Sequence, residues 1–477
     1  MSALSFIQKP LHVAARKWLL LYVETQSREL DAKALLSFIA AERGWATIVG
    51  KGLRGRPYLP QGVFLENSIA PGRKMDVVAH RALGTRVAAV CEEGLIYRNT
   101  EIYGRRRVEK ESYDLIDLYF AWGRGQADDM IGDLNCDPAK MRVTGNPRFD
   151  LLRPDFSGYL SARAEQIKKR YGSILLINTK FGKYSSYVGS EALLDQMRYR
   201  KKIRTPEHEA EMQEMIEFQK QGWFKFQEAI KALSERFPSQ SIVVRPHPSE
   251  RLDAWQQFAD GLPNVFAVFE GNVADWLMAS ELCIHQNCMT GAEGYVLGKP
   301  VIAYRPIRDP RFDAKLPNDL SFEAYDPESL CEQVQTVLDG KPLGDEAERK
   351  QKEQLARHHI QNLDGKSACE SIMDELERLD VQPRPFNHSV GLPRQMYLQF
   401  ARPQLSRLRH MVRNEQQKAR VRYGKQKFPG VSLEDFQDLL HGFQSATGRF
   451  SDIQLAQLET NVFCVYRPDG VDRPESG

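Results

Sequence analysis

Short apolar runs alternate with helically spaced apolar positions along the first part of the chain. Such runs lie at residues 18–24, 46–50, 62–67, 86–92, 117–123 and 141–146. Between the first two, residues 28–42 repeat apolar side chains at the period of an amphipathic helix. Strands separated by helices predict βαβ units and a mostly parallel sheet.

The same alternation returns after a helical stretch at residues 159–171. Further strand-like runs lie at residues 173–182, 241–244, 264–270, 281–286 and 301–304, and residues 209–236 have helical spacing. We predict an α/β fold of two doubly wound, Rossmann-type domains facing a cleft, with domains at 1–155 and 156–380 and a basic helical extension at 381–477. Residues 183–205 are basic, rich in tyrosine and without clear period, so we expect a long loop that could close over a substrate.

Composition narrows the class of protein. A net charge of +3 over 477 residues is too small to indicate nucleic-acid binding by itself. The seven cysteines are scattered without a C-x-x-C pair, which favours a reducing compartment and argues against a disulfide framework or zinc site. Residues 18–23 are too short for a membrane span and lack a cleavage site, so we interpret them as the first strand of a cytoplasmic protein.

A stiff, basic turn follows the strand-like run at 241–244. Arg245 and His247 lie in the sequence RPHPSE, where two prolines fix their own φ and disfavour helix in the preceding residue. The turn would lie outside the carboxyl end of a strand, where open α/β sheets bind ligands. A surface turn with incidental charges explains the same residues, and the turn alone does not decide between the two.

Two adjacent carboxylates, Glu92 and Glu93, precede Gly94 at the end of another strand-like run. Crowded carboxylates raise the pKa of one member, which suits general acid–base chemistry. A solvated strand end is the other interpretation. The turn at Asn146 continues into Arg148, which is expected either to reach an anionic ligand or to hold a structural linker with Asp150.

The segment 285–306 predicts a strand end, a turn through Asn287 and a helix whose cap is Thr290. A helix N-terminus attracts anions, and Gly291 would allow close approach of a nucleotide phosphate or ribose. Close packing of a helix entry needs the same glycines. Neither a P-loop nor a G-x-G-x-x-G motif occurs, and the absence of D-x-D weighs against a metal-held diphosphate.

Several motifs in this order resemble those of bacterial surface-carbohydrate biosynthesis proteins, which are GT-B-type glycosyltransferases of capsule and lipopolysaccharide assembly. The motifs are LYVETQSRELDAK, EEGL, AWG, VTGNPRFDLLR, INTKFG, RPHPSE and HQNCMTGAEGYVLGKPVIAYRP. The acidic-acidic-Gly loop together with an HP loop is also similar to bacterial sialyltransferases and Kdo transferases. CDP-glycerol-dependent glycerophosphotransferases carry an RPHP-like loop as well.

The resemblance implies roles for particular residues. It assigns acid–base chemistry to Glu92 or Glu93, and the phosphate of a CMP-linked donor to His247 and Thr290. A positively charged His247, together with Arg245, would stabilise the leaving CMP phosphate. The sequence departs from the common family form at Lys180, where asparagine is expected. The full predicted donor-binding set is Asn178, Thr179, Lys180, Arg245, His247, Pro248, Ser249, Glu250, His285, Asn287, Thr290 and Gly291, with Asn146 and Arg148 as further substrate contacts.

The function implied is transfer of a 2-keto sugar acid, Kdo or a related nonulosonic acid, from a CMP donor to a surface glycan, without metal or cofactor. The acidic residue would be a base if the reaction inverts configuration and a nucleophile if it retains it. Transfer from a UDP-sugar or CDP-glycerol donor is the alternative enzyme. A non-catalytic scaffold of capsule assembly is the alternative outside enzymology.

The C-terminal part begins with a charged helical stretch at 345–379, which would return across both domains. Residues from Arg394 to Lys427 then contain ten basic side chains and the single acid Glu415, interleaved with apolar positions. This pattern is typical of a helix on a membrane surface or an anionic partner, such as the inner face of the cytoplasmic membrane carrying a lipid-linked acceptor. A solvated helix packed on the enzyme fits equally, and nucleic acid is not expected. Residues 431–465 predict a helical appendage with caps at Ser432 and Ser451.

Overall fold

The computed structural model describes residues 11–468 except 55, 57, 200–202, 204, 389–423 and 426. Its strands are β1 Leu11–Arg16, β2 Trp18–Tyr22, β3 Ala46–Gly50, β4 Val63–Glu66, β5 Arg86–Val90, β6 Leu118–Ala121, β7 Met141–Val143, β8 Ile174–Asn178, β9 Ser241–Arg245, β10 Val265–Ala267, β11 Leu282–His285, β12 Val301–Tyr304, β13 Phe322–Ala324, β14 Arg384–His388, β15 Gln454–Glu459 and β16 Val462–Tyr466.

The helices are α1 Gln26–Glu42, α2 Lys74–Ala82, α3 Thr100–Arg107, α4 Lys110–Leu115, α5 Arg124–Gly132, α6 Pro147–Asp150, α7 Pro154–Ser157, α8 Ser161–Tyr171, α9 Ser190–Tyr199, α10 Pro206–Arg236, α11 Leu252–Ala259, α12 Val273–Ala279, α13 Met289–Val296, α14 Lys315–Asp319, α15 Pro327–Leu338, α16 Glu346–His359, α17 Ala368–Glu377 and α18 Leu433–Thr447. Two 3-10 turns, Pro138–Lys140 and Gly158–Leu160, complete the regular structure of the described residues.

Two large sheets carry the fold. Sheet A has the order β15-β16-β3-β2-β4-β5-β6-β7, and sheet B has the order β10-β9-β8-β11-β12-β13. All pairings from β3 to β7 and throughout sheet B are parallel. Strands buried on both faces, such as ATIVG in β3 and VIAY in β12, fit sheets covered by helices on each side. The predicted α/β fold class, with two doubly wound units of GT-B-like layout, is confirmed.

Helix α1 is the central helix of the unit built on sheet A. Most of its residues are buried, and it packs against β3, α6, α17 and α18. Its buried residues include the charged side chains Glu29, Asp31 and Lys33 as well as apolar ones, so the charged groups need partners inside the protein. Phe38 on α1 is in edge or tilted contact with three aromatic rings of the C-terminal region, those of Phe436, Phe443 and Phe450.

The final helices of the charged stretch return to sheet A, as predicted. Helix α16 ends against the turn after β6, where a Cβ on Gly123 would lie 2.3 Å from the backbone of His359. The N-terminus of helix α17 packs against Asp150. The Asp150 carboxylate accepts hydrogen bonds from the backbone N–H groups of Ala368 (2.8 Å) and Cys369 (2.7 Å). The end of the GNPRFD turn therefore anchors a helix more than 200 residues further along the chain.

Three local predictions are wrong. The run at 18–23 forms β2 and not the first strand, because β1 precedes it and pairs with β14. Residues 183–205 contain helix α9 rather than only loop. The C-terminal appendage is not purely helical: Ser432 caps α18, but the chain after Ser451 forms the hairpin β15–β16, which joins the edge of sheet A at β3. The basic stretch from Arg394 to Gln426 lies outside the described residues, apart from Gly424 and Lys425.

The buried Asp150 carboxyl predicts a pH-dependent stability. Burial raises the pKa of Asp150 from its ordinary 3.8 to about 6. Stability contributed by its protonated form is therefore complete below pH 3.8 and is lost as the pH rises through about 6. We expect the unfolding free energy of the wild type, relative to Asp150→Asn, to fall by about 3 kcal/mol between those limits.

Urea unfolding of both proteins at a series of pH values measures this difference. The same comparison for Asp128→Asn, an exposed position on α5, is expected to stay flat. A difference between wild type and Asp150→Asn that rises with pH would contradict the assignment.

Candidate functional site

The carboxyl ends of the two parallel sheets face each other, and the loops that leave them form the candidate site. In sheet B the strand order reverses between β8 and β11, which is the position where doubly wound sheets bind ligands. Strands β8, β9 and β11 end level with one another, with Asn178 paired to Arg245 on one side and to His285 on the other. The residues after these strands therefore emerge at one place.

Glu250 closes the RPHPSE turn. This residue has no exposed surface, and its Oε1 accepts a hydrogen bond from the backbone N–H of His247 at 3.0 Å. Its Oε2 accepts from the Thr179 hydroxyl (2.8 Å) and from the Trp255 indole (3.1 Å). The carboxylate thus ties the loop after β9 to the loop after β8. Glu250 and Thr179, both predicted to bind the donor, hold the site from inside the protein instead.

The imidazole of His247 is neutral and has a defined tautomer. Its Nδ1 accepts a hydrogen bond from the backbone N–H of Ser249 at 3.2 Å, so the ring proton lies on Nε2. The Ser249 hydroxyl also contacts Nδ1, at 2.7 Å. Burial lowers the pKa of His247 to about 3, and the charges of Lys180 and Arg28 lower it further. The lowered pKa favours the neutral imidazole, whereas the predicted role assumed a positively charged His247.

Lys180, in the loop after β8, is a cation close to His247. Its ammonium donates one hydrogen bond, of 2.7 Å, to the backbone oxygen of Asn287. No carboxylate lies within ion-pair distance of it among the residues that the structure describes. Burial lowers the pKa of Lys180; the Cys288 thiol opposes this, and Arg98 and Arg107 add to it. A cation held without an anionic partner is energetically costly, and an anionic ligand would relieve that cost.

Helix α13 begins beside Lys180, two residues earlier than predicted. Its N-cap is Cys288, so Thr290 is inside the first turn and is not the cap. The Thr290 hydroxyl is buried without a hydrogen bond to nitrogen or oxygen, and the Cys283 thiol lies beside it. A Cβ on Gly291 would lie 2.3 Å from Nε2 of His285, so this glycine allows the helix to pack on the histidine ring.

Several residues predicted to bind a donor are occupied within the protein. His285 is fully buried and bonds through Nε2 to the Ser321 hydroxyl at 2.8 Å. The Asn287 side chain accepts from the Ala314 backbone (2.7 Å) and holds the loop before α14. Arg245 donates to the backbone oxygen of Glu270 at 2.8 Å. These side chains are better described as supports of the site than as ligand contacts.

The remaining predicted donor residues differ in exposure. The Asn178 side chain is buried and donates to the Cys283 sulfur at 3.4 Å. Pro248 and Ser249 are partly exposed at the end of the turn. A Cβ on Gly182 would lie 1.9 Å from the Ser249 hydroxyl oxygen, which shows how closely the two loops pack.

The acidic pair lies on the sheet A side of the cleft. Glu92 is buried, with Oε1 lying 3.5 Å from the Lys33 ammonium and Oε2 without a hydrogen-bond partner. Glu93 is about half exposed and pairs with Arg28 at 3.3 Å and with Arg107. Each of the two carboxylates therefore has cations beside it, Lys33 for Glu92 and two arginines for Glu93.

Arg148 joins the acidic corner to helix α13. Its guanidinium donates to the backbone oxygen of Glu92 at 3.2 Å and forms a buried ion pair of 2.5 Å with Glu293. Arg148 is therefore paired within the protein, and its partner is Glu293 rather than the Asp150 of the expected structural linker. Asn146 caps α6 through its Oδ1, and its Nδ2 is buried without a hydrogen bond.

The acidic corner and the histidine corner share one cleft. Arg28, the ion-pair partner of Glu93, is close enough to His247 for its charge to lower the pKa of the imidazole. Arg107, the other partner of Glu93, acts in the same way on Lys180. The charges that pair with Glu93 therefore also act on the loops after β8 and β9.

Sequence reasoning missed the basic residues of sheet A at this cleft. Arg28 and Lys33 lie in the segment LYVETQSRELDAK, which follows β2 at the point where the strand order of sheet A reverses. That position is a signal for function by itself. Arg107 comes from the run of three arginines at the end of α3 and has no such signal. No cluster of three or more metal-ligating side chains occurs among the described residues.

The sequence matches no protein-family model and no curated protein, so the resemblance drawn from its motifs stays a prediction. Among solved structures it is similar to S. aureus MnaA in a UDP co-structure, at 14% identity over 76% of this chain and 96% of that chain, with a TM-score of 0.45. It is also similar to the UDP-GlcNAc 2-epimerase from Neisseria meningitidis bound to UDP-GlcNAc, at 13% identity over 75% and 98%, with a TM-score of 0.46.

A third similar structure is the wall teichoic acid polymerase TagF, at 10% identity over 76% of this chain and 88% of that chain, with a TM-score of 0.48. Identities this low and scores below 0.5 say nothing about the reaction or the ligand of this chain.

The closure of the histidine loop by Glu250 can be tested directly. We expect Glu250→Gln to lower the unfolding free energy by about 1–3 kcal/mol, because an amide cannot accept from every donor that the carboxylate serves. Urea unfolding at pH 8, above the pKa of about 6 to which burial raises Glu250, measures the loss. Glu235→Gln, at an exposed position of α10, is the control. Equal stability of Glu250→Gln and the control would contradict the role.

Proposed function

We propose that the protein is a glycosyltransferase of bacterial surface-polysaccharide biosynthesis that uses a CMP-linked 2-keto sugar acid. The placement of three groups carries this proposal. Lys180, which has no carboxylate partner among the described residues, and His247, a neutral N–H donor, lie opposite the buried carboxylate of Glu92. A leaving phosphate needs the cation and the N–H donor, and an attacking hydroxyl needs the carboxylate of Glu92. The motif resemblance supplies the identity of the donor.

The donor phosphate would lie between Lys180, Nε2–H of His247 and the first turn of α13. Breaking the bond between the anomeric carbon and the phosphate oxygen leaves the electron pair on that oxygen, where new negative charge develops. A lysine without a carboxylate partner is available to stabilise this charge. The Thr290 hydroxyl, which lacks an oxygen or nitrogen partner, offers a further hydrogen bond.

Glu92 is the better of the two candidates for the base. Its Oε2 is buried without a partner, whereas both arginines beside Glu93 occupy that carboxylate. In an inverting reaction Glu92 would take the proton of the acceptor hydroxyl as the oxygen attacks the anomeric carbon. The acceptor would be a glycan, carried on a lipid if the basic stretch from Arg394 to Lys427 contacts a membrane. None of the described helices is long and apolar enough to span a bilayer.

Nucleotide binding tests the phosphate corner. We expect CMP to raise the melting temperature, since it binds only the folded protein. Lys180→Met and His247→Ala are expected to abolish this shift, whereas Lys299→Met, at the far end of α13, preserves it. Bound phosphate would accept hydrogen bonds from the Lys180 ammonium and from Nε2–H of the neutral His247, so removing either donor weakens binding.

We therefore expect Lys180→Met and His247→Ala to lower the affinity for CMP by about tenfold or more, whereas Lys299→Met leaves it unchanged. Calorimetric titration of CMP into the wild type and the three variants measures these affinities. Stabilisation by CDP or UDP but not by CMP would replace the donor in this proposal. No response to any of the three nucleotides would remove the binding site.

The assignment of the base has its own test. We expect Glu92→Gln to lower transfer by about 10²-fold or more while CMP binding is retained, because an amide cannot accept the proton. Release of CMP from CMP-Kdo, with a capsule or lipopolysaccharide lipid extract as acceptor, is the assay. Glu93→Gln should cost less, since its carboxylate already pairs with two arginines. Normal transfer by Glu92→Gln, or a larger loss in Glu93→Gln, would overturn the assignment.

A further inference from the structure

A buried lysine on α1 lies among four oxygen atoms behind the acidic corner. Lys33 is 3% exposed, and its ammonium donates to Asn67 Oδ1 at 2.6 Å, to Glu29 Oε2 at 3.2 Å and to the backbone oxygen of Tyr22. Its fourth contact is Glu92 Oε1, at 3.5 Å. Buried lysines with this many oxygen neighbours hold their surroundings in one geometry.

The first carboxylate beside Lys33 is committed to other partners. Glu29 is fully buried, pairs with Arg28 at 3.1 Å and accepts backbone N–H groups from Glu24 (2.8 Å) and Thr25 (3.3 Å). These cations and N–H donors outweigh burial and lower the pKa of Glu29 to about 2. Glu29 therefore stays ionised, and the Lys33 ammonium contacts the carboxylates of both Glu29 and Glu92.

We infer that Lys33 is a positioning residue for the proposed reaction: by its contact with Oε1 it orients the Glu92 carboxylate, places a positive charge beside it and leaves Oε2 available for the acceptor proton. This inference rests on the proposed function. A base must be within reach of its proton and must also be unprotonated at the working pH. The contact with Lys33 holds the Glu92 carboxylate in one orientation and places a positive charge beside it. Lys33 does this without contacting the substrate.

The other groups that face Glu92 do not replace Lys33. Arg28, also on α1, adds positive charge, but its nitrogens bind Glu29 and Glu93. Arg148 on α6 reaches only the backbone oxygen of Glu92 and gives its charge to Glu293. The neighbouring Cys91 thiol is buried, and burial raises its pKa, so it carries no charge toward Glu92 at neutral pH. Lys33 is the cation that touches the carboxylate itself.

The pH dependence of transfer tests this role. We expect Lys33→Gln, which retains N–H donors for Tyr22 and Asn67 but removes the charge, to move the acid limb of the kcat profile upward by about 1–3 pH units. CMP binding should be unchanged. Lys33→Arg, which restores the charge, should return the limb to its wild-type position even if kcat is lower. The assay is CMP release from CMP-Kdo with the lipid extract as acceptor.

A second buried lysine, whose ion pair is with Glu348 rather than Glu92, provides the matched control. Lys352 on α16 donates to the backbone oxygens of Asp319 (3.0 Å) and Ser321 (2.8 Å), so Lys352→Gln should cost stability and leave the acid limb in place. A Lys33→Gln variant that loses stability but keeps the wild-type limb would overturn the inference. If the wild type itself released no CMP from CMP-Kdo, the proposed function would fail, and that result is distinct from an unchanged acid limb in Lys33→Gln.

Discussion

Buried ionic contacts between the two sheet units fix the position of everything at the cleft. Arg148 and Glu293 form an ion pair with both side chains almost fully buried, and the arginine also holds the backbone of Glu92. At the back of the molecule, Asp31 on α1 accepts from Arg163 on α8 and from Asn272 at the start of α12. Removing one partner of a buried pair typically costs about 3–5 kcal/mol, because the other charge is left unpaired. These contacts hold the acidic corner opposite the histidine corner.

Charge is distributed unequally across that cleft. On the sheet A side, cations and carboxylates alternate, so that Glu29, Lys33, Arg28 and Glu93 satisfy one another. On the sheet B side, the Lys180 ammonium donates to the backbone oxygen of Asn287 and contacts no carboxylate of the described residues. An alternating network orients its members, whereas an unmatched cation attracts an anion. The asymmetry explains why we place the base on one side and the donor phosphate on the other.

Local sequence pattern was enough for the strands and for the position of the loops. ATIVG and VIAY match β3 and β12 residue for residue, because a strand buried on both faces is a continuous apolar run. The hairpin β15–β16 was missed because its place depends on pairing with β3, about 400 residues away. Nothing in the nearby sequence encodes that partner.

The chemistry of single residues was harder to predict than their location. The RPHPSE turn does lie at a strand end, yet the charge state of His247 follows from burial and from cations on distant segments. Glu250 and Arg148 look like ligand contacts in the sequence because they are charged and lie in loops. Their partners, Trp255 and Glu293 among them, show that they build the site rather than bind within it.

A crystal structure with bound CMP tests the central claim most directly. The account predicts phosphate oxygens within hydrogen-bond distance of Lys180 Nζ and His247 Nε2, at the start of α13 and facing Glu92 across the cleft. A nucleotide bound in well-defined density elsewhere, with Lys180 still on the Asn287 carbonyl and no anion near it, would contradict the account.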